Sequence, residues 1–453
     1  LAAGKFLVKN RFYFTGLKKY QINYAVKANG KVVRKGKTFL DIEPQGSQEL
    51  NVNVTGLQPK AGTEYFVNFW VTTTEPEILI PVGHEIASEQ FRLPIEPLTV
   101  AEHKASGKTN VTTEGDEVKV SSSKMQFVFN KKSGLVTSYK VNGTEYFTEG
   151  FGIQPNFWRG PNDNDYGNGQ PKREQIWKQS SKDFKVADVI TEADGNNTVL
   201  TANYLLAAGN LYIVKYTIYP DGVVHADITF TSTDMEEGKT EVSEATLMAT
   251  FSPGQQEARR AASKLVVPRI GVRFRLPADM NQVEYFGRGP GENYIDRQRA
   301  NHIDLYKTTA DAMYTDNYVR PQENGHRTDT RWVELTRKNG KGLKIVADQT
   351  IGFNALRNSV EDFDSEEAVG KLRQWNNFTP EEIANRSEEK AKDVLRHMTH
   401  INDITPRNFV EVCVDMKQQG VAGFNSWGDR PLAEHTMPAN QEYKWGFTLI
   451  PVK

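Results

Sequence analysis

Apolar and polar residues alternate with a period of two through residues 1 to about 95. The alternation is clearest at 20–27, 50–54 and 65–71, and turn-forming pairs such as Asn29-Gly30 lie between these runs. A period of two places successive side chains on opposite faces of a strand. Short strands separated by turns, with no helical period, predict an antiparallel β-sandwich of roughly immunoglobulin size.

A linker follows this first region. Residues 94–107 contain two prolines and then small and charged residues, a composition typical of a connection between domains. The chain has 453 residues, which exceeds one ordinary hydrophobic core. We therefore place a boundary near residue 105, which divides the chain into domains 1–105 and 106–453.

The second region also has the pattern of a β-protein. Two hairpin signals come first, around Gly134 and at Asn142-Gly143. The large number of candidate strands in this region predicts one large antiparallel two-sheet sandwich, with two smaller domains as the alternative. The candidate strands are 127–129, 135–141, 198–206, 211–219, 223–231, 242–251, 270–276, 331–337 and 342–347.

One helical excursion is predicted in this otherwise all-β chain, at about 379–397. Thr379-Pro-Glu-Glu382 has the form of a capping box with proline at the first helical position. Apolar residues then recur at near-helical spacing as far as His397. We interpret this helix as a cover for an edge of the sandwich.

Charge and cysteine content exclude several classes of function. Lys and Arg total 56 against 57 Asp and Glu, so the net charge is −1 and gives no electrostatic case for nucleic acid or an anionic membrane. The sequence has no run of 18 apolar residues. Cys413 is the single cysteine, so no internal disulfide can form, and its alternating surroundings predict a buried strand residue.

The beginning of the chain suggests a fragment of a longer protein. Leu1 is not a start residue, the first methionine is Met125, and no signal-peptide pattern is present. We expect a parent protein of bacterial type, located in the cytoplasm or the periplasm.

A glycine-punctuated stretch at 420–431, called here the Gly420 loop, carries the first candidate binding residues. Trp427 lies at its centre, next to Ser426 and close to Asn425. An indole on a turn is suited to stacking on the C–H face of a sugar while polar neighbours bond the hydroxyls. The alternative is that Trp427 fills a gap between loops.

Polar residues also concentrate at 157–169, where Arg159 and Asp163 are candidates for binding sugar hydroxyls. Asn and Asp beside glycine usually form turns, and acidic oxygens can also collect a cation. The spacing of the acidic residues lacks the glycine and distant glutamate of an EF-hand, so that site is rejected. We favour a structural or site-lining loop.

A third cluster, 318–327, contains Glu323, His326 and Arg327. These residues offer an acid, a base and an anion contact, or simply a salt-bridged surface turn. The segment 285–294 contains three glycines without a following helix, so we expect a tight corner there and no phosphate site. The histidines show no convincing metal spacing, so no metal ligand is predicted.

Taken in order, these segments resemble a known family. The resemblance is to the C-terminal domains of glycoside hydrolase family 2 β-galactosidases, and it covers nearly the whole chain. The segments that carry it are 157–165, 286–294, 313–325 and 424–428, together with 83–93 in the first domain.

The resemblance implies an immunoglobulin-like domain followed by an antiparallel supersandwich similar to galactose mutarotase. In that family both catalytic glutamates, and the magnesium and sodium beside them, belong to a TIM barrel that precedes these domains. No catalytic residue, metal or cofactor is therefore expected in this chain. Trp427 matches the tryptophan that reaches into the barrel and stacks on the sugar.

The function implied is hydrolysis of terminal β-D-galactosides such as lactose, with retention, by a parent that would form homo-oligomers. This part would bind carbohydrate, complete the active-site mouth beside the other domains, and be inactive alone. The substrate-binding candidates are Trp427, Asn425, Ser426, Arg159, Asp163 and Glu323. A stand-alone carbohydrate-binding module is the alternative, and an aldose 1-epimerase that uses Glu323 and His326 is a weaker one.

Overall fold

The structure is a computed structural model that describes residues 1–231, 265–364, 400–425 and 428–453. Contacts between Cα atoms divide the chain into two compact units. The first comprises Leu1–His103 with His302–Leu305, and the second comprises Lys104–Asn301 with Tyr306–Lys453. The ladders between strands are antiparallel throughout the described residues, as expected for an all-β protein.

The first unit is a β-sandwich with a four-stranded sheet of order β3-β2-β5-β6 and a two-stranded sheet of β1 and β4. Ile22 and Val26 of β2 pair with Val71 and Val67 of β5, and their side chains enter the core between the sheets. The strands are β1 Lys5–Lys9, β2 Tyr20–Ala28, β3 Lys31–Thr38, β4 Ser47–Asn51, β5 Tyr65–Thr73 and β6 Glu85–Arg92.

The Asn29-Gly30 pair makes the turn that its sequence predicts. Both residues have positive φ, 43° and 79°, which is the backbone that a two-residue hairpin between β2 and β3 requires. The turn fixes the register of the hairpin, and the period-two pattern of β2 then decides which face is buried.

The second unit is dominated by one large curled sheet, and a smaller five-stranded sheet has the order β11-β10-β9-β8-β7. The main path of the large sheet is β12-β17-β22-β21-β23-β16-β15-β14-β13, and β20 pairs with β21 beside it. The strands from residue 110 onwards are β7 Asn110–Glu114, β8 Glu117–Ser121, β9 Met125–Asn130, β10 Leu135–Val141, β11 Thr144–Glu145, β12 Gln154–Asn156, β13 Lys185–Asp194, β14 Asn197–Leu205, β15 Leu211–Ile218, β16 Val224–Phe230, β17 Arg269–Pro277, β18 Gln282–Gly289, β19 His302–Thr309, β20 Arg327–Thr336, β21 Gly342–Leu356, β22 Phe409–Gln418 and β23 Tyr443–Val452.

Aromatic side chains fill the core of the second unit. Tyr204 and Tyr212 are fully buried, and each phenol donates a 2.9 Å hydrogen bond to a backbone carbonyl, of Gly134 and Gly271 respectively. Buried tyrosines retain a partner because an unpaired hydroxyl is costly in an apolar core. Cys413 is buried in β22, as its alternating surroundings predicted.

The predicted strands of the described residues are present with shifted ends, and the strand predicted at 342–347 continues to Leu356. The predicted strand at 242–251 and the helical excursion at 379–397 lie outside the described residues. One short helix, α1 Asp163–Gly167, lies within the turn-rich segment at 157–169, and two more follow it, α2 Gln170–Arg173 and α3 Gln175–Ser180. Among the described residues, no helix is both long enough and apolar enough to cross a membrane.

Candidate functional site

Two polar segments that are far apart in sequence converge in the second unit on the start of the Gly420 loop. Arg159 donates to the carbonyls of Gln419 and Gly420 at 2.7 and 3.0 Å. From the other side, Asp296 accepts the N–H groups of Val421 and Ala422 at 3.0 and 2.8 Å. The backbone that leads to Trp427 is therefore held by an arginine and a carboxylate from different segments.

Further amides complete this support. Asn162 and Asn164 both donate to the carbonyl of Val421, at 3.4 and 3.3 Å. At the far end of the loop, Gly428 has a φ of 111° and lies against the backbone of Gly167, where an added Cβ would approach to 2.3 Å. The described residues on both sides of positions 426–427 are thus fixed against the segment 157–169.

That segment is itself organised by a capping box. Asn162 accepts the N–H of Asp165 at 2.9 Å, and Asp165 accepts the N–H of Asn162 at 3.1 Å. The capping box begins helix α1, so the interpretation of 157–169 as turns alone was wrong for its second half. The helix was missed because its asparagine and glycine residues are also typical turn formers.

Arg159 forms the centre of this support and is 0% exposed. Its guanidinium holds both oxygens of Asp165, at 3.0 and 2.9 Å, as well as the two loop carbonyls. Burial raises the pKa of Asp165, and the charge of Arg159 opposes that shift. In this geometry Arg159 holds the loop from behind and offers no surface to a sugar.

Asp163 differs from Arg159, because it lies on the surface. Its carboxylate pairs with Arg320 Nε at 3.1 Å, and the Arg320 guanidinium lies 5.3 Å from the centre of the Tyr166 ring. The segments 157–169 and 318–327 therefore meet at the surface as well as in the core. Asp163 remains a candidate for contact with a polar ligand.

Glu323 lies in the core of the second unit, 4% exposed, and is not on a surface turn. It accepts hydrogen bonds from Arg269, from Gln418 at 2.8 Å and from Asn354 at 3.4 Å. Its own N–H donates to Gly160 at 2.9 Å, which links 318–327 to 157–169 once more. A carboxylate engaged in this way supports the fold and is closed to a ligand.

His326 belongs to the same buried network and is 1% exposed. Its Nδ1 lies 3.7 Å from Asp415 Oδ2, and Arg269 Nε lies 3.3 Å from the same oxygen. Burial lowers the pKa of His326 well below its usual range and raises the pKa of Asp415 to about 7, while Arg269 opposes the shift of Asp415. An aldose 1-epimerase would need its acid and base beside a sugar, whereas Glu323 and His326 are both buried in the core.

Of the remaining predicted residues, Asn425 is exposed at the tip of the described loop, next to Phe424, which is 68% exposed. Ser426 and Trp427 lie outside the described residues. A cavity of about 140 Å³ lies beneath the loop, lined by Asp165, Gln170 and Arg430 among others.

Asp296 is the functional residue that the sequence did not indicate. It follows the tight corner at 285–294, and nothing in its immediate surroundings distinguishes it from a surface aspartate. Its role depends on two backbone N–H groups that are distant in the chain. Only the general rule that carboxylates accept hydrogen bonds from loop N–H groups could have pointed to it.

Two family descriptions match the chain in order. Residues 6–94 match "Beta-galactosidase, domain 4" and residues 121–449 match "Beta galactosidase small chain". A β-galactosidase from Priestia megaterium is 28% identical over 454 residues, and one from Halalkalibacterium halodurans is 24% identical over 445 residues. These alignments cover 100% and 98% of this chain but only 38% of each relative, so the chain spans less than half of their length.

Among solved structures, a galactose 1-epimerase from Lactobacillus acidophilus is similar over 76% of this chain and 99% of its own, with a TM-score of 0.34 and 8% sequence identity. A galactose mutarotase related enzyme from the same organism has a TM-score of 0.34 over 74% of this chain and 97% of its own, with 9% identity. These distant likenesses do not bear on activity. The assignment rests on the match at 121–449, which covers more than half of the sequence, and by that match the chain belongs to the β-galactosidase small-chain family.

Proposed function

We propose that this chain is the C-terminal part of a glycoside hydrolase family 2 β-galactosidase and that it completes the mouth of the active site. Two observations support the assignment to a part of such an enzyme. Relatives named β-galactosidase align with the entire chain, and the chain accounts for 38% of their length. The catalytic carboxylates, with the magnesium and sodium beside them, would belong to a barrel in the remaining portion.

The proposed role at the active-site mouth is supported by the contacts that hold the Gly420 loop in place. Arg159 and Asp296 fix consecutive backbone groups of residues 420–422, and Gly428 abuts helix α1 on the other side. A loop held at both ends loses less conformational entropy when its exposed residues bind a ligand. Such a loop suits the task of presenting Trp427 to a sugar.

In the proposed enzyme, a retaining mechanism would use one carboxylate as nucleophile and a second as acid and base, with a covalent glycosyl-enzyme intermediate. Trp427 would stack on the apolar face of the galactosyl group, and Asn425 and Asp163 would form hydrogen bonds with sugar hydroxyls at the rim of the site. This chain would contribute binding and orientation, and the parent would assemble as a homo-oligomer.

The test is hydrolysis of an aryl β-galactoside. The chain is assayed alone and after mixing with the portion of the Priestia megaterium β-galactosidase that it does not match. Inactivity of each part alone with activity on mixing is the expected result. Trp427→Ala should then reduce the restored kcat/KM by roughly 5- to 150-fold, on the scale of the about 1–3 kcal/mol that a nucleic-acid base gains by stacking on an aromatic ring.

The matched control is Leu432→Ala, which removes an exposed apolar side chain just beyond the same loop. Turnover by this chain alone would contradict the proposal. Saturable galactoside binding by the chain alone, with no activity on mixing, would favour the carbohydrate-binding module instead.

A further inference from the structure

An imidazole and two carboxylates meet on the outward face of the large sheet. His225 and Asp227 lie two residues apart on β16, so they share one face. His225 Nε2 is 3.2 Å from Asp227 Oδ1 and 3.5 Å from Asp348 Oδ2. One oxygen of each carboxylate and this nitrogen all lie within 4.8 Å of one another.

The strand order explains how these residues meet. Strand β23 lies between β16 and β21, and its Gly446 pairs with Asp227. Asp348 follows Ala347, which pairs with Phe447, so Asp348 reaches the other side of Gly446. A Cβ at Gly446 would lie 2.3 Å from Asp348 Oδ2, so glycine is what leaves the space between the two carboxylates open.

The two separations from His225 Nε2 fit a tetrahedral ion. Zinc binds imidazole nitrogen and carboxylate oxygen at about 2.0–2.1 Å, which places two ligands of a tetrahedron about 3.3 Å apart. The observed 3.2 and 3.5 Å lie on either side of that value. A single proton on Nε2 could serve only one of the two carboxylates, because the second oxygen is at the limit of hydrogen-bonding distance.

The second nitrogen of the ring is already positioned for such a role. His225 Nδ1 lies 3.0 Å from Thr448 Oγ1, on the strand between the other two. With Nε2 bound to a cation, Nδ1–H would donate to this hydroxyl, as metal-ligating histidines usually do to a neighbouring oxygen. In that tautomer the free electron pair of Nε2 faces the two carboxylates.

Two carboxylates face a single imidazole at this position, so the cluster carries negative charge whenever His225 is neutral. Lys215 lies opposite Asp227 on β15, and its ammonium group is a cation that would compete with a bound ion.

We propose that His225, Asp227 and Asp348 form a binding site for a divalent transition-metal ion of the Zn²⁺ class, with the fourth position open to water. Three protein ligands from two strands of one sheet, β16 and β21, give a rigid site. The mixture of imidazole and carboxylate favours Zn²⁺ or Co²⁺ over Mg²⁺ and Ca²⁺, which prefer all-oxygen sites. The site is independent of the proposed galactosidase function.

The test is calorimetric titration of the chain with Zn²⁺, together with the visible absorption of Co²⁺, which becomes intense when the ion is four-coordinate. One equivalent should bind, with the Co²⁺ spectrum of a four-coordinate site. His225→Gln and Asp348→Asn should each weaken that binding by at least about 100-fold. Thr448→Val should weaken it by about tenfold, because residues that orient ligands typically contribute 10–100-fold.

His435→Gln is the matched control, since His435 is 27% exposed against 23% for His225 and its carboxylate neighbour among the described residues, Glu434, lies 3.9 Å away. The control should bind the ion as the unchanged chain does, and Lys215→Gln should bind it more tightly. Circular dichroism of the metal-free variants establishes whether each is folded. If a ligand variant is not folded, Thr448→Val tests the site in its place. Absence of binding, or binding that survives both His225→Gln and Asp348→Asn, would overturn the proposal.

Discussion

The role of Asp296 in holding the Gly420 loop can be tested with Asp296→Asn. The carboxylate accepts two backbone N–H groups, one on each oxygen, from Val421 at 3.0 Å and from Ala422 at 2.8 Å. Asparagine keeps one acceptor and turns an NH₂ group towards the other N–H. The substitution therefore removes one charge-assisted hydrogen bond and sets two donors against each other, with almost no change in side-chain volume.

The magnitude follows from the type of bond. A hydrogen bond to a charged group contributes about 1.5–3 kcal/mol, and we take about 2 kcal/mol because the site is only partly buried. At about 1.4 kcal/mol per factor of ten, the loop should open about 30 times more readily. Local opening of a loop need not unfold the sheet, so the midpoint of global unfolding should change little.

Hydrogen–deuterium exchange of the intact chain measures this directly. The amides of Val421 and Ala422 should lose about 30-fold of their protection in Asp296→Asn. Amides of β22 should keep theirs. Asp163→Asn is the matched control, because Asp163 lies on the surface near the same segment and pairs with Arg320. Unchanged protection at Val421 and Ala422 would refute the argument that Asp296 holds the loop.

Three further predictions address the core and the loop. Arg159→Met should lower the free energy of unfolding by about 3–5 kcal/mol, measured by urea titration, because Asp165 is left as an unpaired buried charge. Burial raises the pKa of Asp415 to about 7, so its protonation stabilises the fold fully below about pH 4, and this contribution is lost as the pH rises through 7. Asp415→Asn should therefore remove about 2 kcal/mol of the decline in the free energy of unfolding between pH 5 and pH 8. Gly428→Ala should increase exchange in helix α1, since its Cβ would meet the backbone of Gly167 at 2.3 Å.

Much of the fold could be predicted because the period of two is local information. The alternation in β2 and β5 defines their buried faces, and the Asn29-Gly30 turn sets the hairpin between β2 and β3. Each of these features lies within a few residues of the chain. The same locality allowed Cys413 to be placed in a buried strand.

The role of polar residues was harder to predict, because burial is decided by distant partners. Glu323 lies in a segment of polar residues typical of a surface turn, yet Arg269 and Gln418 enclose it in the core. The sequence signal for Arg159 was likewise its place among polar neighbours, and its partners are the backbone carbonyls of Gln419 and Gly420. In both cases the residue type correctly indicated a polar environment, but the direction of the side chain could not be predicted without the topology of the sheet.

The cluster of His225, Asp227 and Asp348 also depends on the topology of the sheet and could not be predicted from the sequence. The predicted strand at 223–231 already placed His225 and Asp227 on one face, but the predicted strand at 342–347 ended one residue before Asp348. Continuation of β21 to Leu356 and the order β21-β23-β16 bring the third ligand into place. The space between the carboxylates depends on Gly446, a residue without chemistry of its own. A search for ligand spacing along the chain cannot find such a site, because its spacing exists only across the strands of the sheet.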